Sequence, residues 1–125
     1  MDSDLADVWD ATESRYEDID APVARFNVGL LQALRPRWGK TIRPDTSMFT
    51  LLCTRPDTTG YTADERVEVQ MEADDRVRVA LVRQVPRRGE TRPPGPVTVT
   101  GDCTRPENAL RAVESLLFQL AEPSA

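Results

Sequence analysis

The chain has 125 residues, a formal net charge of −5 at pH 7, and ten prolines against six glycines. A chain of this length can bury one hydrophobic core, so we expect residues 1–125 to form a single domain. The acidic balance argues against general nucleic-acid binding, which requires a basic surface. Because no apolar run approaches the length of a membrane span and no secretory signal is recognisable, we expect a cytoplasmic protein with reduced cysteines.

The first third of the chain is predicted to be helical. Apolar residues recur in alternating steps of four and three from Leu5 to Leu30, which places them on one face of a helix. Pro22 interrupts this pattern and leaves two interpretations, namely two helices of about 3–18 and 21–35 or one long kinked helix. Pro36 and Gly39 are predicted to end the helical region.

Four strand-like runs follow a predicted loop at 38–45, and they cover residues 47–54, 66–72, 76–85 and 97–103. In the second run Val67, Val69 and Met71 alternate with polar residues, which predicts a strand with one buried face. No helical segment separates the runs, so we predict a four-stranded antiparallel meander. Pairing Met71 with Val77 aligns the buried faces of the middle strands and leaves a three-residue loop.

The last predicted element is a helix. Residues 104–107 read Thr-Arg-Pro-Glu, the pattern of a capping box with proline in the first turn. Leu110, Val113, Leu117 and Leu120 then recur at helical spacing. The whole sequence therefore predicts an α+β fold in which two N-terminal helices (or one kinked helix) precede the meander and a C-terminal helix packs on the sheet.

The sequence contains no histidine. That absence removes the commonest general base, the usual zinc ligand, and the Ser/His and Cys/His nucleophile pairs. The glycines are scattered, so no phosphate-binding glycine loop is recognisable. We expect no catalytic residues, no metal and no cofactor, although a small enzyme that uses carboxylates as acid and base stays an alternative.

Acidic residues form a stripe along the first predicted helix, opposite its apolar face: Asp7, Asp10, Glu13, Glu17 and Asp20. The structural interpretation is the solvated face of an amphipathic helix. The functional interpretation is a surface that binds a basic partner or imitates a nucleic-acid backbone.

Two basic clusters are the candidate binding sites. The Trp38 cluster consists of Arg35, Arg37, Trp38, Lys40 and Arg43, and the loop cluster consists of Arg87, Arg88 and Arg92 in the segment 86–96, beside Arg83. Cations beside an aromatic ring can hold a phosphate, a nucleic acid or an acidic helix. The structural alternatives are charges that complement a helix dipole and a mobile surface loop.

The tetrapeptide Cys-Thr-Arg-Pro occurs twice, at Cys53 and at Cys103, each time at the end of a predicted strand. If the two strands are neighbours, the thiols could meet. Neither cysteine has the Cys-x-x-Cys setting of a redox centre, so the sequence favours a structural pair of buried thiols.

The leading functional hypothesis is a non-enzymatic protein-interaction module, such as an adaptor, a chaperone-like protein or an inhibitor, that forms a homodimer. The dimer is predicted from surplus apolar surface. Met48, Leu52 and Val82 would lie on the sheet face that one layer of helices leaves uncovered, and the apolar helical face from Leu5 to Leu30 would be longer than a domain of this size needs if it were continuous. If the chain instead folds back at Pro22, two helices could cover both faces and a monomer would suffice. The main alternative function is an anion- or nucleic-acid-binding module that uses Trp38 and the arginine clusters.

Overall fold

Helices and an antiparallel sheet share one core in the computed structural model, which describes residues 2–56, 65–84 and 97–121. Over these residues there are three α-helices and five strands: α1 Asp2–Glu17, α2 Pro22–Trp38, β1 Arg43–Ser47, β2 Thr50–Thr54, β3 Glu65–Ala73, β4 Arg76–Gln84, β5 Val97–Thr104 and α3 Ala109–Ala121. No helix in these ranges is long and apolar enough to cross a membrane. The predicted α+β class is confirmed.

The strands follow one another as an antiparallel meander in the order β1-β2-β3-β4-β5, so the predicted topology is confirmed. The predicted number of strands is wrong, because the described part of the chain forms five strands rather than four. The additional strand is β1, which lies mostly in the predicted loop and pairs with β2 from Arg43–Thr54 to Ser47–Thr50. Pro44 makes this segment unlike a central strand, but a proline is tolerated at the edge of a sheet, where β1 lies.

The predicted register between β3 and β4 is confirmed. Met71 pairs with Val77, and Val69 and Val67 pair in turn with Val79 and Leu81. The predicted three-residue loop is wrong, because the register shifts after Met71 and Ala73 pairs with Arg76. A bulge at this point shortens the connection to the turn of residues 74–75.

The helical region consists of two antiparallel helices rather than one kinked helix. Pro22 lies in the first turn of α2, where its missing N–H leaves no hydrogen bond unmade. Pro36 does not end α2, which continues to Trp38 and closes with a hydrogen bond from the Gly39 N–H to the Arg35 carbonyl at 2.9 Å. Pro36 removes one intrahelical donor, but the helix continues for two residues beyond it.

The C-terminal helix is confirmed, and Val113, Leu117 and Leu120 are fully buried in the core. The predicted capping box is wrong, because Thr104 still belongs to β5. A single 3₁₀ turn at Pro106–Asn108 leads into α3, and Arg105 precedes it without a side-chain cap.

The core lies between the helices and one face of the sheet. It contains Leu5 and Trp9 of α1 and Leu31 of α2 together with Val67 and Val79 of the sheet. Both N-terminal helices therefore contribute to one core, and they do not cover opposite faces of the sheet as the alternative to a dimer proposed.

The other face of the sheet is buried in part within the single chain, although Gln70 and Arg78 on this face are exposed. Leu52 and Val82 are 1% and 4% exposed. Arg66, on the same face, donates from Nε to Glu68 Oε2 at 2.7 Å and is 7% exposed. Of the three sheet side chains from which the homodimer is partly predicted, only Met48 is exposed.

Candidate functional site

Trp38, the centre of the first predicted binding cluster, is part of the packing between α2 and α3. Its side chain is 5% exposed, and its indole N–H donates to Glu114 Oε2 at 3.0 Å. The ring packs edge-on against Phe118 with 4.9 Å between the ring centroids. This geometry stabilises the helical layer and leaves little of the indole face for a ligand.

The cations around Trp38 are divided between internal contacts and solvent. Arg35 pairs with Asp10 of α1 at 2.7 Å, and Arg37 pairs with Glu114 at 3.3 Å. Lys40 is exposed, and Arg43 is half-buried at the start of β1. The structure therefore places these residues around the end of α2 but uses two of the charges to hold α1 and α3.

The loop cluster of Arg87, Arg88 and Arg92 lies outside the described residues. Its described neighbour, Arg83, donates from Nε to Glu65 Oε2 at 2.8 Å, and Arg55 donates to Glu65 Oε1 at 3.1 Å. Burial favours a higher pKa for Glu65, but the hydrogen bonds and charges of the two arginines outweigh it and hold the pKa below the ordinary value of 4.5. This cluster of charges ties β2, β3 and β4 together at one end of the sheet.

The two cysteines do not meet. Strands β3 and β4 separate Cys53 on β2 from Cys103 on β5. Cys53 is fully buried, and burial raises the pKa of its thiol to about 12, whereas Cys103 is exposed. The repeated tetrapeptide therefore marks two different environments rather than one thiol pair.

A groove between β5 and α3 offers no pair of acidic and basic side chains. It has a volume of about 350 Å³ and is lined by Val79, Gly101, Cys103, Thr104, Ala112, Ser115 and Leu116. No group of three or more histidine, cysteine or acidic side chains in the described ranges could hold a metal ion.

The most distinctive surface is an apolar patch at the turn between β1 and β2. Of the described residues, four large apolar side chains are exposed: Ile19, Met48, Phe49 and Phe118. Met48 and Phe49 are neighbours in this turn, and the Tyr16 ring stacks on Phe49 at 6.2 Å between centroids. We call Met48 and Phe49 the hairpin tip.

Buried donors on the two N-terminal helices fix the backbone of the hairpin tip. The Tyr16 hydroxyl donates to the Met48 carbonyl at 2.8 Å, and the Asn27 amide Nδ2 donates to the Phe49 carbonyl at 3.0 Å. Tyr16 is 3% exposed and Asn27 is fully buried. Burial raises the pKa of Tyr16 above 10.0, against opposing hydrogen bonds, so the phenol stays protonated and keeps its donor.

Met48 has an unusual backbone conformation. Its φ is +55°, in the left-handed region that glycine, asparagine and aspartate normally occupy. Its side chain is 87% exposed. A long apolar side chain thus projects into solvent from a position where an ordinary residue is strained.

Salt bridges anchor the surroundings of the hairpin tip. Arg15 of α1 reaches Asp45 of β1 at 3.1 Å, and Arg25 of α2 reaches Asp20 at 2.7 Å. The first pair links α1 to β1, and the second links α2 to the connection between the helices.

The two acids that follow Tyr16 in the chain, Glu17 and Asp18, are exposed. Neither forms an ion pair with any residue in the described ranges.

Sequence reasoning missed the hairpin tip because the segment 47–54 looks like one continuous strand. The turn at Met48 and Phe49 contains none of the glycine, asparagine or aspartate residues that normally identify a two-residue hairpin. The available signal was the pair of apolar residues directly after Asp-Thr-Ser, a run of turn-forming residues.

Comparisons of the chain with protein-family models, with curated proteins and with solved structures found no match. Function must therefore be inferred from the residues themselves.

Proposed function

We propose that the chain is a non-enzymatic protein-interaction module that contacts its partner through the hairpin tip. The observation that carries this proposal is Met48, which combines a left-handed backbone with a side chain that is 87% exposed. An adaptor, a chaperone-like protein or an inhibitor would each use such a contact.

The turn itself does not require a methionine at position 48. A left-handed conformation costs an L-residue about 1–2 kcal/mol, and glycine would avoid that cost. The exposed side chain recovers little of it, because it removes almost no apolar surface from water. Strain at an exposed apolar residue is expected where the residue makes a contact with another molecule.

The hydrogen bonds from Tyr16 and Asn27 support the same proposal. They hold both carbonyls of the turn, so the exposed side chains project from a fixed backbone. A surface that is already ordered loses less conformational entropy when a partner binds.

The anion- or nucleic-acid-binding alternative has weaker support. Trp38 is 5% exposed, and Arg35 and Arg37 are already paired with acids of α1 and α3. This alternative now depends on Lys40, Arg43 and the loop cluster. The homodimer stays a prediction, and of the three sheet side chains from which it is partly argued only Met48 is exposed.

Site-specific photo-crosslinking in the native host tests the proposal. A photoreactive amino acid replaces Met48 in one variant and Arg111, an exposed residue of α3, in a matched control. We expect discrete crosslinked products from position 48 and none of the same mass from position 111. Equal products from both positions, or none from position 48, would refute a contact at the hairpin tip.

A further inference from the structure

We infer that the outer edge of β5 binds an extended segment of a partner protein as an additional strand of the sheet. This segment is apolar on the face that lies toward α3 and acidic on the opposite face. The inference goes beyond the proposed function, because the edge of β5 is a second contact surface that does not include the hairpin tip.

The two edges of the sheet differ in their protection against a further strand. Strand β1 has five residues, contains Pro44, and is tied to α1 because Arg15 donates to Asp45 at 3.1 Å and to Thr46 at 2.7 Å. Strand β5 has eight residues and contains no proline, lysine or arginine. Proline and basic side chains commonly keep further strands from an edge. In the described part of the chain no strand pairs with the outer edge of β5, so its sequence leaves that edge open to pairing.

A groove beside this edge selects apolar side chains. Helix α3 packs mainly on β3 and β4, which leaves a groove of about 350 Å³ between α3 and β5. Its lining is mostly apolar and includes Val79, Ala112 and Leu116, with Ser115 beside them. An added strand would lie about 4.8 Å beyond β5, and every second side chain would point to the α3 side of the sheet. These side chains would enter the groove, so apolar ones are favoured there.

The opposite face of the sheet supplies a cation. Arg78 of β4 pairs with Cys103 of β5, and its side chain is exposed on the face away from α3, because it alternates with the buried Val77 and Val79. Arg78 forms no ion pair with any described residue, whereas Glu68 on the same face already pairs with Arg66 at 2.7 Å.

An acid on the added strand, beside Cys103, would lie two strands from Arg78. That separation is about 10 Å between Cα atoms, which an extended arginine and a glutamate can span. An acidic side chain on this face of the added strand would therefore neutralise Arg78.

A second copy of β5 does not have this alternation. Thr100, Asp102 and Thr104 occupy the positions that pair with the buried, α3-facing residues of β4, and the alternate positions carry valine, glycine and cysteine. Antiparallel pairing of two copies about a two-fold axis keeps the α3 sides on the same face of the joined sheet. A second copy would therefore offer polar residues to the apolar groove and no acid to Arg78. A segment of another protein with the opposite alternation has no such conflict.

A phage library of random peptides tests this inference. The library is first depleted on a Ser115→Tyr variant, in which a large side chain at an exposed position of α3 fills the groove, and is then selected on the wild-type chain. Circular dichroism confirms beforehand that the variant keeps the wild-type fold. We expect peptides in which apolar residues alternate with aspartate or glutamate, and whose affinity falls about tenfold or more in Ser115→Tyr.

The acidic face is tested by a double-mutant cycle. Arg78→Gln in the chain, or replacement of the acid by its amide in the peptide, should each lower the affinity several-fold. Both changes together should cost little more than either one, because each removes the same charge pair. Additive effects, or peptides that bind Arg78→Gln as tightly as the wild type, would overturn the assignment of an acidic face.

Strand addition is tested with two N-methylated forms of one selected peptide. Methyl groups on one set of alternate amides would face β5 and should abolish binding, whereas methyl groups on the other set would face away and should leave the affinity unchanged. Equal effects of the two sets, or no peptide that distinguishes the wild type from Ser115→Tyr, would overturn the inference. Light scattering that shows twice the mass of 14.0 kDa in the wild type but not in Ser115→Tyr would place a second copy at this edge and would also overturn it.

Discussion

The hydroxyl of Tyr16 donates a hydrogen bond to the carbonyl of Met48 at 2.8 Å, across 32 residues of sequence. This bond joins the last turn of α1 to the turn between β1 and β2. It holds in place the one described non-glycine residue with a positive φ. The Tyr16 hydroxyl therefore contributes both to the stability of the fold and to the geometry of the candidate contact surface.

Tyr16→Phe should destabilise the chain by about 1–2 kcal/mol, because the partly buried Met48 carbonyl loses its donor. Ser14→Ala is the matched control, since the Ser14 hydroxyl bonds to the Asp10 carbonyl in an exposed position and its loss should change stability by less than about 0.5 kcal/mol. Denaturant unfolding of both variants measures the difference. Equal effects would mean that the Tyr16 bond contributes nothing beyond an exposed one.

Met48→Gly should leave the free energy of unfolding unchanged or raise it by up to about 1 kcal/mol, because glycine adopts a positive φ without strain. Met48→Val should lower it, since a branched side chain is less tolerated in this conformation. Thermal unfolding of the two variants beside the wild type gives their order. A Met48→Gly variant less stable than Met48→Val would show that the Met48 side chain packs in the folded chain, contrary to its exposure.

The elements that the sequence predicts well are those that local periodicity defines. Val67, Val69 and Met71 alternate without interruption, and the leucines of α3 keep helical spacing, so both the β3–β4 register and the final helix follow from residue order. Strand β1 is not predicted, because Pro44 argues against a strand unless the strand is known to lie at the edge of a sheet.

The candidate site depends on contacts between distant residues, and no local pattern encodes them. In the sequence, Trp38 and Arg37 resemble a binding cluster. In the structure both donate hydrogen bonds to Glu114, which lies 76 positions beyond Trp38. The hairpin tip becomes a surface only when Tyr16 and Asn27 fix the turn. Sequence reasoning could therefore nominate charged and aromatic residues but could not separate those that the fold uses internally from those that it leaves exposed.

Glu114→Ala should destabilise the chain by about 1–3 kcal/mol, because the indole N–H of Trp38 would be left without its acceptor. Glu114→Gln keeps an acceptor oxygen at the same distance from the helix and should destabilise the chain less than Glu114→Ala does. The unfolding free energies of the two variants provide the comparison. If both cost the same, the charge pair with Arg37 rather than the indole hydrogen bond would account for the effect of Glu114.

The two thiols should differ in reactivity. In the native chain iodoacetamide should modify Cys103, which is exposed, and leave Cys53, which is buried with a pKa of about 12. Mass spectrometry of the native chain should show a single modification, and the unfolded chain should show two. Rapid labelling of a native Cys103→Ser variant would mean that β2 opens readily and that Cys53 is not protected by the core.

Glu65 should make stability depend on pH in a defined direction. Its folded pKa lies below the ordinary value of 4.5, because hydrogen bonds and charges from Arg83 and Arg55 outweigh burial. A depressed folded pKa stabilises the folded chain above the unfolded pKa, and this contribution is lost as the pH falls through the folded pKa. Glu65→Gln lacks the charge at every pH, so it should be less stable than the wild type at neutral pH.

The difference between the wild type and Glu65→Gln should therefore shrink as the pH falls from about 7 to about 3, because a protonated glutamate is neutral like glutamine. Glu107→Gln is the matched control, since Glu107 is exposed and lies 3.8 Å from its partner Arg105. The change in stability that this control causes should be small and nearly independent of pH, as is usual for exposed pairs. Denaturant unfolding at several pH values measures both differences. A Glu65→Gln difference that stayed constant or grew on acidification would show that Arg55 and Arg83 do not stabilise the Glu65 carboxylate in the folded chain.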